Sequence, residues 1–213
     1  LDPVPMNPPP AATLPTGADY RGRWTEFASS ATGAGISGGI GLSIEPSIAV
    51  GAGAQFIAWA DNRNGNYEIY VVRHDAAGWR ELAGSAHGGG ISATAGNSRR
   101  PSITLDAAGN PLMAWTVFSG TSSDIRVARL DPAANGGAGA WVALGGALST
   151  GAADNAVIVS VTSGSNSGPV VAWLDHSTGT TNIYARRFNG TAWIEVSAGS
   201  ASMRTYSVGT PMK

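Results

Sequence analysis

Seven tryptophans fall into two interleaved series, and this near-constant spacing constrains the fold more than any single motif does. Trp59, Trp115 and Trp173 follow one another at 56 and 58 residues, while Trp24, Trp79, Trp141 and Trp193 follow at 55, 62 and 52. A chain with this self-similarity repeats one structural unit. The first copy reads PSIAV (46–50), QFIAWAD (55–61), YEIYVVR (67–73) and WREL (79–82). The second reads PSITL (101–105), PLMAW (111–115), DIRVAR (124–129) and WVAL (141–144); the third, more divergent, reads AVIVSV (156–161), PVVAWLD (169–175), NIYARR (182–187) and WIEV (193–196).

Every copy holds four short segments rich in β-branched and aromatic residues, separated by Gly, Asn, Asp and Ser, which predicts four strands per unit. GAGA (51–54) and DAAGN (106–110) suit tight hairpins, and TSGSNSG (162–168) is the longer counterpart in the third unit. Alternation along the third strand puts Ile69, Val71 and Arg73 on one face, with Ile125, Val127, Arg129 and Ile183, Ala185, Arg187 as equivalents. A helix would repeat its apolar positions every 3.6 residues instead. Thirty glycines, twelve prolines and only 13% charged residues also favour an all-β chain.

A four-stranded meander of about 50 residues is the unit of a β-propeller blade, whose sheet buries both faces against its neighbours. The stretch AWADNRNGNYEIYVVR (58–73) resembles the W-x-D-x-R-x-G-N-x-x-I-Y repeat of bacterial secreted β-propellers. That resemblance spans about residues 23–213 and implies a propeller-like array of four-stranded antiparallel blades, centred on 46–82, 101–144 and 156–196. RWTEF (23–27) matches a lone fourth strand, and GTPMK (209–213) sits where a further unit would begin. The expectation is therefore three complete blades plus partial blades at both ends, forming an open arc whose uncovered faces need another chain or more of the same polypeptide. Residues 1–19, with six prolines and no apolar period, read as a linker or arm. The start at Leu1 without a signal peptide suggests a processed product or excised fragment.

The composition narrows the function classes. A net charge of −1 without like-charge runs argues against nucleic-acid binding, and no apolar run is long enough to insert in a membrane. With no cysteine, disulfides and thiolate metal sites are excluded. His74, His87 and His176 lack ligand spacing, DNRNGN (61–66) lacks the ligand pattern of an EF-hand, and no phosphate loop is present, so no metal or cofactor is expected. NGT (189–191) is a sequon that also reads as a turn.

The tryptophans could form an aromatic platform, but equivalent placement in each unit favours packing. Arg73, Arg129 and Arg187 resemble the arginine cluster of sialidases, themselves propellers, although packing of their stems is the preferred reading. HDAAGW (74–79) is similar to the S-x-D-x-G-x-x-W turn of those enzymes but lacks the serine and the spacing, and no Tyr-Glu nucleophile pair is found. Ligand-binding residues are expected on the loop rim at Asp61, Arg63, Arg99, Arg100, Asp154, Asp175 and His176. No catalytic residue is singled out. The leading expectation is a non-catalytic scaffold, not an enzyme, for protein association in a secreted, periplasmic or cell-surface bacterial protein. A lectin-like glycan binder comes second, and a fragment of a propeller glycosidase third.

Overall fold

In the computed structural model, residues 26–28, 30–39, 41–51, 53–149, 151–161 and 168–196 are described. The arm at 1–19, Trp24, and GTPMK at the other end lie outside them. Blade 1 contains β1 (Ser43–Gly51), β2 (Ala54–Asp61), β3 (Glu68–Asp75) and β4 (Gly78–Glu81). Blade 2 contains β5 (Asn97–Leu105), β6 (Pro111–Ser119), β7 (Ser122–Asp131) and β8 (Ala140–Ala143). Blade 3 contains β9 (Ala153–Val161), β10 (Gly168–Asp175), β11 (Asn182–Phe188) and β12 (Trp193–Glu195). Strands within each sheet pair antiparallel in chain order, and the described residues include no α-helix.

The period of two along each strand gives both faces of the middle blade an apolar stripe. Met113, Trp115 and Val117 meet Phe56, Ala58, Ile69 and Val71 of blade 1, while Leu112, Ala114, Ile125 and Val127 meet Ile158, Val171 and Trp173 of blade 3. Burial of one such aliphatic side chain stabilises by roughly 1.5–3 kcal/mol, so these two interfaces dominate the energetics.

Directional contacts set the blades in the same relation twice. Ser47 Oγ accepts the Ile103 amide at 3.2 Å, and Ser102 Oγ accepts the Ile158 amide at 3.1 Å. At the outer edge, Trp141 Nε1 donates to the Leu82 carbonyl at 2.8 Å and Trp193 Nε1 to the Leu144 carbonyl at 2.5 Å. Each acceptor lies three residues after the preceding blade's own fourth-strand tryptophan. Trp79 follows the rule too, donating to Phe27 at 2.9 Å, the residue three beyond Trp24. Of RWTEF, Glu26 and Phe27 are described, and neither is in a strand.

The segment between blades 1 and 2 is also fixed. Ser85 Oγ donates to the Val71 carbonyl at 2.6 Å, and Ile91 N donates to the Ile69 carbonyl at 2.8 Å. Gly90 makes that approach possible: at φ +59 it presses on β3, and a Cβ there would stand 2.0 Å from the Ile69 oxygen.

Candidate functional site

The first strands β1, β5 and β9 lie side by side, and each breaks its pairing at one place. The irregularities fall between Ile44 and Ser47, between Arg99 and Ser102, and opposite Ala172–Leu174 in blade 3. Each contains a non-glycine residue in the left-handed region: Glu45 at φ 56, Arg100 at φ 55 and Asn155 at φ 51. That conformation is costly for an L-residue, and bulges of this kind redirect side chains out of the ladder. Three copies of the device at the same repeat position turn Glu45, Arg100 and Asn155 toward one open groove of about 520 Å³. Pro46, Pro101, Ala156, Val157 and Leu174 supply its apolar walls. The volume lies within the ~300–1,000 Å³ of small-molecule sites.

Charges in the groove are paired from blade to blade. Glu45 Oε1 accepts from Arg99 Nη2 at 2.7 Å, and its Oε2 accepts from the Arg100 amide at 2.7 Å. Arg100 Nη1 in turn donates to Asp154 Oδ2. The Arg99 guanidinium also lies 5.2 Å from the Tyr67 ring centre, which fixes its direction. A carboxylate of blade 1, a guanidinium of blade 2 and a carboxylate of blade 3 thus form one chain across the three bulges.

Of the seven rim residues expected from the sequence, Arg100 lines this groove, and Arg99 and Asp154 are tied to it through Glu45 and Arg100. Asp61 and Arg63 do neither. Asp61 is fully buried at the end of β2, where Oδ2 accepts from Ser43 Oγ at 2.6 Å, Arg63 Nη2 at 2.8 Å and Trp59 Nε1 at 3.3 Å, and Oδ1 accepts from the Arg63 amide at 2.9 Å. Burial pushes this carboxyl up, but the hydrogen bonds from Arg63 and Ser43 and the Arg63 charge outweigh it and bring the pKa down to about 2. Arg63 is held as well, 4.3 Å above the Tyr70 ring and bonded to the Ser37 carbonyl at 2.9 Å. The W-x-D-x-R part of the motif therefore staples a turn.

Asp175 repeats that anchor in blade 3, accepting from Trp173 Nε1 at 3.3 Å and from Ser177 N at 2.9 Å. Burial again raises its pKa, and the Ser177 and Trp173 hydrogen bonds with the His176 charge lower it further than burial raises it. His176 is exposed and bonded to Thr181 Oγ1 at 2.9 Å. Glu45 and Asn155 were not among the expected residues. The one sequence signal for Glu45 was its place before the PSI segment, matching Arg100 before the second PSI. None of the groove-lining residues is a tryptophan, nor is any of Arg73, Arg129 and Arg187, so a sialidase-like arginine cluster does not form there. The described residues contain no cluster of three or more His, Cys, Asp or Glu able to hold a metal, and no helix among them is long and apolar enough to cross a membrane.

No family model and no curated protein matches the sequence. Solved structures do. A sialidase from Trypanosoma rangeli shares 10% identity over 84% of this chain and 32% of its own, with a TM-score of 0.51. The chain folds as an open arc of propeller blades. An endo-arabinase from Bacteroides thetaiotaomicron matches at 15% identity and TM-score 0.46 over 70% of this chain, and a family 117 glycoside hydrolase from Zobellia galactanivorans at 12% and 0.46 over 72%. The arc spans 59% and 54% of those two proteins.

These likenesses correct two expectations from the sequence, the non-catalytic association scaffold and the absence of enzymatic character. The solved structures that share the arrangement include a sialidase, an endo-arabinase and a family 117 glycoside hydrolase. The physical reason for the miss lies in the bulges. The sequence reading starts the first strands at 46, 101 and 156, whereas the left-handed residues just before them, 45, 100 and 155, line a common groove. At these identities the likeness establishes the fold.

Proposed function

We propose that this arc is part of a glycoside-hydrolase-type β-propeller of a secreted or surface bacterial protein, and that it contributes a carbohydrate-binding groove on its first strands. The carrying observation is the convergence of Glu45, Arg100 and Asn155 from three blades through three equivalent strained bulges. Backbone strain repeated at one position is retained where it positions function. Glycoside hydrolysis uses two carboxyl groups on either side of the scissile bond, and Glu45 and Asp154 are the carboxylates of this cluster. Each is already hydrogen-bonded to an arginine, and their part here is to accept sugar hydroxyls and orient a ring. The blade faces left open are completed by another protein chain or by more of the same polypeptide.

Titration of the purified chain with a panel of oligosaccharides, alongside release of reducing ends by the full-length protein, tests this reading. Saccharide binding that disappears in Arg100→Ala, with thermal unfolding retained, is expected. A folded chain that binds no saccharide at millimolar concentration would remove the proposal.

A further inference from the structure

We infer that the groove selects neutral, polyhydroxylated sugars over sugars bearing a carboxylate; this rests on the carbohydrate reading above and concerns which class of carbohydrate the same site takes. A guanidinium captures a ligand carboxylate best through two parallel N–H···O bonds, which requires a free fork facing the ligand. Both guanidiniums of the cluster already face a carboxylate. Arg99 gives Nη2 to Glu45 Oε1 at 2.7 Å and is packed over Tyr67, and Arg100 gives Nη1 to Asp154 Oδ2. Two guanidiniums and two carboxylates leave the cluster neutral. An incoming anion would have to displace Asp154 from Arg100 and then remain beside the displaced carboxylate, so each gain in attraction carries a like-charge repulsion.

Hydroxyl groups face no such conflict. A hydroxyl both donates and accepts, so neighbouring sugar hydroxyls can bridge a carboxylate oxygen of Asp154 and an uncommitted N–H of Arg100 without breaking the pair. Asn155 is exposed and brings a further donor and acceptor to the same edge. The walls suit the other face of a sugar ring. Pro46, Pro101, Val157 and Leu174 offer C–H surface, and no aromatic ring lines the groove. Val157 is a departure from the repeat: blades 1 and 2 have Ser47 and Ser102 there, each bonded to the next blade, whereas Val157 is 56% exposed. Blade 3 thus carries an apolar contact where the other two blades carry a serine latch.

The test compares neutral pentose and hexose oligosaccharides with uronate-terminated and N-acetylneuraminate-terminated ones, by calorimetry or NMR titration of the chain at low and high salt. Neutral sugars should bind at least about tenfold more tightly than anionic ones, with little salt dependence. Asp154→Asn frees the Arg100 fork and gives the cluster a net positive charge, so uronate affinity should rise roughly tenfold and become salt-sensitive. Glu45→Gln, which leaves the Arg100–Asp154 pair in place, should raise it less and serves as the second variant if Asp154→Asn does not fold. Preference of the wild-type chain for the anionic sugars overturns this inference and leaves the carbohydrate reading standing. So does an Asp154→Asn chain that folds and keeps the wild-type preference. A folded chain that binds neither class overturns both.

Discussion

Trp59 donates its indole Nε1 to Asp61 Oδ2 at 3.3 Å, two residues further along the same strand. Trp173 and Asp175 repeat the contact at 3.3 Å in blade 3. Blade 2 has Val117 at the acceptor position, and the Trp115 Nε1 is buried without a hydrogen-bond partner. All three rings fill the same place in their sheets, so packing loss on shortening is similar, while the lost hydrogen bond is not. Replacement by phenylalanine should therefore cost Trp59 and Trp173 about 1 kcal/mol more than Trp115, as measured by urea unfolding. Equal losses at all three sites would show that the Trp–Asp contact contributes nothing.

Acid sensitivity follows from Asp61. Its folded pKa of about 2 lies below the ordinary 3.8, so the unfolded chain binds its proton first as pH falls. The stabilisation is therefore fully present above the ordinary value and is lost as the pH drops toward the folded one, with a size on the order of 2 kcal/mol. Asp61→Asn should remove this dependence: wild type and variant should converge in stability between about pH 4 and pH 2, the variant being the weaker near neutrality. A constant difference through that range would contradict the assignment.

Much of the arc was legible because packing repeats. Alternation in YEIYVVR and DIRVAR, the Gly-bearing hairpins and the tryptophan spacing all express burial on two faces, which a sequence records directly. The groove was not legible in the same way. Asp61 and Arg63 looked chemically capable yet are consumed by a turn, because a pair spaced i, i+2 with a nearby tryptophan and serine satisfies itself. Glu45 drew no reading from the sequence, since a left-handed φ at a glutamate leaves no mark in composition or periodicity. Arg99, Arg100 and Asp154 were singled out for their charge, and it is the bulges that explain why they meet.

The bridge from Arg100 to Asp154 should matter far more for binding than for stability. The two side chains are 37% and 21% exposed, a setting in which an ion pair contributes about 1 kcal/mol or less and weakens with salt. Arg100→Gln is expected to unfold within about 1 kcal/mol of wild type and to lose saccharide binding. Large destabilisation with binding intact would make the residue an inter-blade clamp only.

One repeat position reports what covers each blade. Ile69 and Ile125 are fully buried because the next blade lies on them, whereas the equivalent Ile183 on blade 3 is 56% exposed, beside Tyr184 at 42%. Truncation to alanine should thus cost about 2–5 kcal/mol at Ile69 or Ile125, from lost burial and the cavity left behind, and below about 1 kcal/mol at Ile183 in the isolated chain. The same Ile183→Ala change becomes informative in the full-length protein. If a further blade or a partner chain seats on blade 3 as blade 3 seats on blade 2, Ile183 passes into the costly class, and Ile183→Asp should expose the face or release the partner in a mass measurement. An Ile183→Asp protein with wild-type stability and mass would mean that blade 3 keeps an open face.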